Sequence, residues 1–197
     1  MPLKHAHDFI SEAEYLQGEM LAEIRHEYID GEVFAMAGTS RNHNILTVNV
    51  ARLLGDVTAD GPCFTFSSEI KVRTERCFFY PDVMVVCDDD DGDDYYTEKP
   101  KLIVEVMSKS TRRMDKTTKL AAYKTLPSLL EYVLIEQDHV EIEIFRRSQN
   151  WFAEHYFLGD ALELESVGLT VYVADIYRRV DNEDMRDYLQ QLQEQAS

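Results

Sequence analysis

The sequence predicts an α/β fold, and three features carry that prediction. Residues 78–87 (FFYPDVMVVC) and 101–108 (KLIVEVMS) are apolar on both faces, as strands inside a covered sheet are. Residues 40–57 space their apolar positions for a helix. Residues 26–37 (HEYIDGEVFAMA) alternate and reverse at Asp30-Gly31, the strongest hairpin signal in the chain.

The elements follow in chain order. Ser11 and Glu14 stand at capping-box spacing and open a short helix to about Gln17. After the 26–37 hairpin, Ser40 can cap a helix whose Ile45, Leu46, Val48, Val50, Leu53, Leu54 and Val57 make an apolar stripe. Residues 63–73 alternate and break at Ser67-Ser68, and the two apolar strands come next. A helix from Ser110 to about Thr125 stops before Leu126-Pro127. Residues 129–136, 139–147 and 151–158 read as three further strands, the first two turning at Gln137-Asp138. A Gln- and Glu-rich helix over about 181–195 ends the chain. No repeat or linker interrupts this order, and a 197-residue chain suits one domain over 1–197 with its core at about 10–175.

Composition narrows the class. Hydrophobic content is 45% and charged content 29%, as in globular proteins. No apolar run approaches the ~20 residues that span a bilayer, so no membrane partner is expected. The charged N-terminus MPLKHAHDFISEAEYL has no signal-peptide core. Cys63, Cys77 and Cys87 lack metal-ligand spacing and read as reduced thiols, which with the rest predicts a cytoplasmic protein. The acidic run 88–94 (DDDDGDD) puts Asp89, Asp91, Asp93 and Glu98 on calcium-loop positions. The first ligand would then be Cys87 and the flanks are strands, so a solvated turn is the better reading.

A net charge of −17 repels phosphate backbones and is the strongest composition argument against a nucleic-acid partner. Between Lys109 and Lys124, however, Lys109, Arg112, Arg113, Lys116, Lys119 and Lys124 face a single acid, Asp115. The sign of the charge is expected to reverse there.

Two carboxylates lie inside the two most apolar strands: Asp82 in FFYPDVMVV and Glu105 in LIVEVM. A buried ionised carboxylate must be neutralised, paired or bound to metal. Alternation puts Tyr80, Asp82 and Met84 on one face, and Ile103, Glu105 and Met107 on one face of the other strand. Neighbouring strands would bring the two acids side by side, where Mg²⁺ or Mn²⁺ relieves their repulsion through hard oxygen ligands. In the helix that follows, Lys119 shares a four-residue stripe with Asp115 and Tyr123 and lies deep enough to reach back to Glu105. Glu69 and His43 are supporting candidates, as an extra oxygen ligand and as a phosphate or water contact. Arg112 and Arg113 are candidate phosphate contacts.

Tyr80-Pro81-Asp82 followed by Glu105-Val106-Met107 resembles the PD-(D/E)xK restriction-endonuclease-like superfamily, which has an acid on each of two strands and a lysine two residues after the second. Met107 occupies that lysine's place, and the sequence looks like the variation in which the lysine moves to the following helix, at Lys119. The longer string from EYIDGEVFAMAG through PKLIVEVMSKSTRRMDKTTKLAAYKTLPSLLEYVLIEQ is similar to the Uma-two family, over about residues 10–175. The resemblance implies a restriction-endonuclease-like mixed β-sheet flanked by helices, with Asp82, Glu105 and Lys119 as the catalytic trio. It also implies metal-dependent phosphodiester hydrolysis of nucleic acid, DNA being the expected substrate, with pairing of two copies for double-strand cutting. The competing expectation is a non-catalytic binding or scaffold module that keeps the fold; the aromatic-rich residues 151–157 could pair two chains at a sheet edge.

Overall fold

The computed structural model describes residues 9–88 and 92–195. Helix α1 (Glu12–Glu19) carries the full capping box: the Ser11 hydroxyl accepts from the Glu14 N–H, and the Glu14 carboxylate accepts from the Ser11 N–H. Strands β1 (His26–Ile29) and β2 (Glu32–Ala35) form the N-terminal hairpin. Its turn has φ of 49° at Asp30 and 92° at Gly31, as a two-residue primed turn needs. The Phe9 ring packs so closely on Gly31 that a Cβ there would lie 2.3 Å from a ring carbon.

Helix α2 (Arg41–Thr58), capped by Ser40, buries Leu46, Val50 and Leu54. Then come β3 (Cys63–Phe66), β4 (Lys71–Arg73), β5 (Cys77–Phe79), β6 (Val83–Cys87), β7 (Tyr96–Thr97) and β8 (Pro100–Met107). Helix α3 (112–123) is α-helical at its ends and widens to a π turn over Asp115–Lys119. Strands β9 (Glu131–Glu136), β10 (Ile142–Arg146) and β11 (Ala153–Tyr156) follow as a meander. A separate hairpin, β12 (Ala161–Leu164) and β13 (Leu169–Tyr172), leads into α4 (Val173–Ile176) and α5 (Glu183–Gln195).

The main sheet is mixed, in the order β11-β10-β9-β8-β6-β3. Only β8 and β9 run parallel, joined by the α3 crossover that a parallel pair requires. Alternation sorts its two faces. Val83, Val85, Leu102, Val104 and Val106 pack with α2, whereas Met84, Ile103 and Met107 pack with Tyr123 and Leu126 at the α3 end. A second mixed sheet, β2-β1-β5-β4-β7, carries the N-terminal hairpin. No helix among the described residues is long and apolar enough to cross a membrane.

Three expectations are corrected. Residues 78–87 are not one strand: β5 belongs to the second sheet and β6 to the main one, with the change of sheet at Tyr80-Pro81-Asp82. Pro81 has no N–H for a ladder, which makes it a natural place to leave one sheet for another. The cysteines are not all reduced thiols: Cys63 and Cys87 form a disulfide, and Cys77 stays free and buried. The antiparallel register sets Cys63 directly opposite Cys87, with Cα atoms 4.1 Å apart, so cysteine usage does not speak for a reducing compartment. The region from 159 to 180, left without elements by the sequence, holds β12, β13 and α4. Of the acidic run, Asp89 and Asp91 lie outside the described residues, while Asp93 accepts from the Tyr95 N–H and Glu98 pairs with Arg73.

Candidate functional site

Glu105 sits on the α3-facing side of β8 between Ile103 and Met107, and its residue is only 3% exposed. Its Oε1 lies 3.1 Å from Lys119 Nζ and accepts from the Tyr123 hydroxyl at 3.1 Å. Lys119 Nζ also lies 2.9 Å from Glu27 Oε1 and 3.5 Å from Asp115 Oδ1. One ammonium thus gathers a carboxylate from β1, one from β8 and one from its own helix. The four-residue spacing of Asp115, Lys119 and Tyr123 is used as the sequence suggested, with the π turn starting at Asp115 and ending at Lys119. Such a widened turn inside an α-helix is a feature frequent at functional sites.

Asp82 stands just ahead of β6, where the chain leaves Pro81. Its Oδ2 accepts from the Val106 N–H at 2.7 Å, and His43 Nε2 lies 3.3 Å from the same oxygen. The N–H of Val106 adjoins Glu105 in sequence, so this bond fixes Asp82 beside the second acid. His43 is placed by the first turn of α2, where its N–H also donates to the Ser40 hydroxyl. Glu27, Asp82, Glu105 and Lys119 all line one open cleft of about 1120 Å³, together with His43 and Phe34 on its walls.

The electrostatics are lopsided. Three carboxylates meet one ammonium, and Asp82 stands near them on the same cleft. Burial pushes the Glu105 carboxyl well above its ordinary range; Lys119 draws it down, and Asp115, Asp82 and Glu27 push it up again. Burial likewise raises Asp115, against the pull of Lys119. For Lys119, burial favours the neutral form, but Glu105, Glu27 and Asp115 outweigh it and hold the ammonium charged well above the usual lysine range. Asp115 Oδ1 is buried without a hydrogen-bond partner, its contact being the ion pair with Lys119.

This donor set fits a divalent cation. Its ligands are hard carboxylate oxygens, and Asp82 and Glu105 both face an open cleft. Mg²⁺ in particular binds through one or two carboxylates and keeps the rest of its shell for water and phosphate.

The other expected residues fall as follows. His43 joins the cluster through Asp82. Glu69 does not: its side chain is 68% exposed, pairs with Arg25 and lies outside the cleft lining. Arg112 is held by Glu136 through two bonds, from Nε at 2.6 Å and Nη2 at 2.5 Å, and Arg113 is exposed and outside the cleft lining. Lys109, Arg41 and Arg179 line it instead. The expected reversal of charge along 109–124 is largely cancelled, because Arg112, Lys116 and Lys119 meet Glu136, Glu143 and the site acids. Sequence reasoning missed Glu27 as a site residue. The available signal was an acid inside a short strand next to buried Tyr28, but alternation does not say what such an acid faces.

Comparison with known proteins agrees with the architecture. The model of the Uma2 family, described as "Putative restriction endonuclease", matches residues 12–174. Uncharacterized protein slr1290 of Synechocystis sp. (strain ATCC 27184 / PCC 6803 / Kazusa) is 36% identical over 174 residues, covering 86% of this chain and 92% of its own. Uncharacterized protein sll1609 of the same organism is 36% identical over 163 residues, covering 79% and 92%. The crystal structure of a putative nuclease belonging to DUF820, from Anabaena variabilis ATCC 29413, superposes with a TM-score of 0.69 at 16% identity, covering 79% of this chain and 91% of that one. The fold is that of the restriction-endonuclease-like nucleases.

Proposed function

This chain belongs to the Uma2 family, and we propose that it is a divalent-metal-dependent nuclease that hydrolyses phosphodiester bonds, with DNA as substrate. The observation that carries the proposal is that Glu27 and Glu105, from two strands, meet on Lys119 while Asp82, held by the Val106 N–H next to Glu105, lines the same open cleft. Asp82 and Glu105 are the residues that would hold Mg²⁺ or Mn²⁺, with Glu27 beside them. A cation there supplies Lewis-acid polarisation of a phosphoryl oxygen and acidifies water.

The chain's own residues do the rest. Lys119, kept charged by its three acids, orients the attacking water and offsets charge developing on the phosphoryl oxygens. The Val106 N–H and His43 fix the Asp82 carboxylate, and Tyr123 fixes Glu105, so neither acid has to reorganise. Asp115 holds Lys119 from behind in the π turn. Cutting both strands of a duplex calls for two sites, and the exposed edge strand β11, flanked by exposed Phe152 and Phe157, is the edge through which two copies would pair.

The test is plasmid nicking in Mn²⁺ and in Mg²⁺, with wild type and Asp82→Ala purified in parallel and both checked for fold by circular dichroism. Metal-dependent nicking that disappears in Asp82→Ala is the expected result. Equal nicking by both proteins would remove Asp82 from the site. Nicking by neither would move the reading to a binding module that keeps the nuclease fold.

A further inference from the structure

A second group of metal-ligating side chains lies on the main sheet, apart from the cleft. Register pairs Glu143 of β10 with His155 of β11, so the two side chains stand together on one face. Glu141, two residues before Glu143, falls on the same side. One ligand atom from each of Glu141, Glu143 and His155 lies within 4.8 Å of the others. His155 Nδ1 is 2.8 Å from Glu141 Oε1, and His139 Nε2 is 3.0 Å from Glu141 Oε2. None of these four residues lines the cleft.

We propose that Glu141, Glu143 and His155 form a binding site for a divalent transition metal of the Zn²⁺ class, separate from the Asp82–Glu105 site, with His139 orienting Glu141.

The chemistry selects the ion. Imidazole with carboxylate suits Zn²⁺, Co²⁺ or Ni²⁺, whereas Mg²⁺ prefers oxygen donors alone. The imidazole must bind through a bare ring nitrogen, so an ion would take the place of the hydrogen bond that joins His155 Nδ1 and Glu141 Oε1 at 2.8 Å. His139 grips the far oxygen of Glu141 and so sets which oxygen is presented, the part that outer partners play at metal sites. His155 and His139 are exposed, which gives an ion direct entry, while Glu143 is buried and forms the floor. Glu143 is at present paired with Lys116 of α3, which an incoming ion would have to displace from one of its oxygens. Sheet register fixes Glu143 and His155, and Glu141 stands one residue before β10.

The test is equilibrium dialysis of the full chain against Zn²⁺ with Mg²⁺ in large excess, read by elemental analysis, on wild type, His155→Ala, His139→Ala and Asp82→Ala. Wild type and Asp82→Ala should each retain one Zn²⁺ per chain. His155→Ala should lose it, with affinity down more than about 100-fold, and His139→Ala should bind about 10-fold more weakly. Co²⁺ in place of Zn²⁺ should give a visible ligand-field spectrum that His155→Ala lacks. Zn²⁺ retention that survives His155→Ala but is lost in Asp82→Ala would overturn the proposal, and so would no retention by wild type. The first outcome would move the ion to the cleft acids and the second would leave the nicking test untouched, so this site can fail while the nuclease reading stands.

Discussion

Lys119 is the most informative residue to remove, because it is the single cation at the centre of three buried or nearly buried acids. Lys119→Met keeps most of the side-chain volume and deletes the charge. Breaking a buried ion cluster by removing one partner costs about 3–5 kcal/mol, because the remaining charge is left uncompensated. In a domain of this size each kcal/mol moves the melting temperature by about 2–4 °C, so a fall of roughly 10 °C is expected at pH 8. The pH dependence follows from the acids. Glu105 and Asp115 have folded-state pKa values above their unfolded ones, so their contribution to stability is fully present below the unfolded carboxyl range and is lost as pH rises through the folded values. Lys119, also raised, keeps its contribution through pH 8 and loses it only at strongly alkaline pH. Without Lys119 the two carboxyls rise further, and the variant recovers as acidification protonates them. Urea unfolding of wild type and Lys119→Met at pH 8 and pH 5, without metal and with the disulfide intact, reads this directly. The destabilisation should fall by half or more at pH 5, and excess Mg²⁺ at pH 8 should recover part of it. A loss of stability equal at both pH values, or no loss at all, would refute the ion cluster as the source.

Three further outcomes are expected. Mn²⁺ affinity at the cleft, taken by calorimetry as the difference between wild type and Asp82→Ala, should weaken as pH falls through the raised Glu105 and Asp115 values, by about tenfold per pH unit for each proton displaced. Fluorescence anisotropy of a labelled DNA duplex should show binding in Ca²⁺ and little or none in chelator, because the cleft acids outnumber its cations until a divalent ion offsets the excess; equal binding in chelator would contradict this. Cys63→Ser should lower stability in non-reducing urea by about 3.5 kcal/mol, the loop-closure value for a separation of 24 residues, and leave metal binding at Asp82 unchanged.

What the sequence disclosed was whatever a residue announces by contrast with its neighbours. Asp82 and Glu105 stand out as charges in apolar runs, and Lys119 follows from four-residue spacing with Asp115 and Tyr123; all four of those side chains other than Asp82 lie within one ion and hydrogen-bond cluster around Glu105. The capping box at Ser11, the primed turn at Asp30-Gly31 and the Ser40 cap are local, and local chemistry decided them. What stayed hidden depends on which strand lies beside which. Continuous apolarity through 78–87 conceals the change of sheet at Pro81, and only register brings Cys63 opposite Cys87 or Glu27 onto Lys119. Charge shows the limit most clearly. Counted along the chain, residues 109–124 are basic; counted in space, Arg112 and Lys116 are spent on Glu136 and Glu143 of neighbouring strands, and Lys119 on the site itself. A linear count of charge therefore overstated the protein's own attraction for phosphate, and an acidic cleft with hard oxygen donors leaves that attraction to a bound divalent ion.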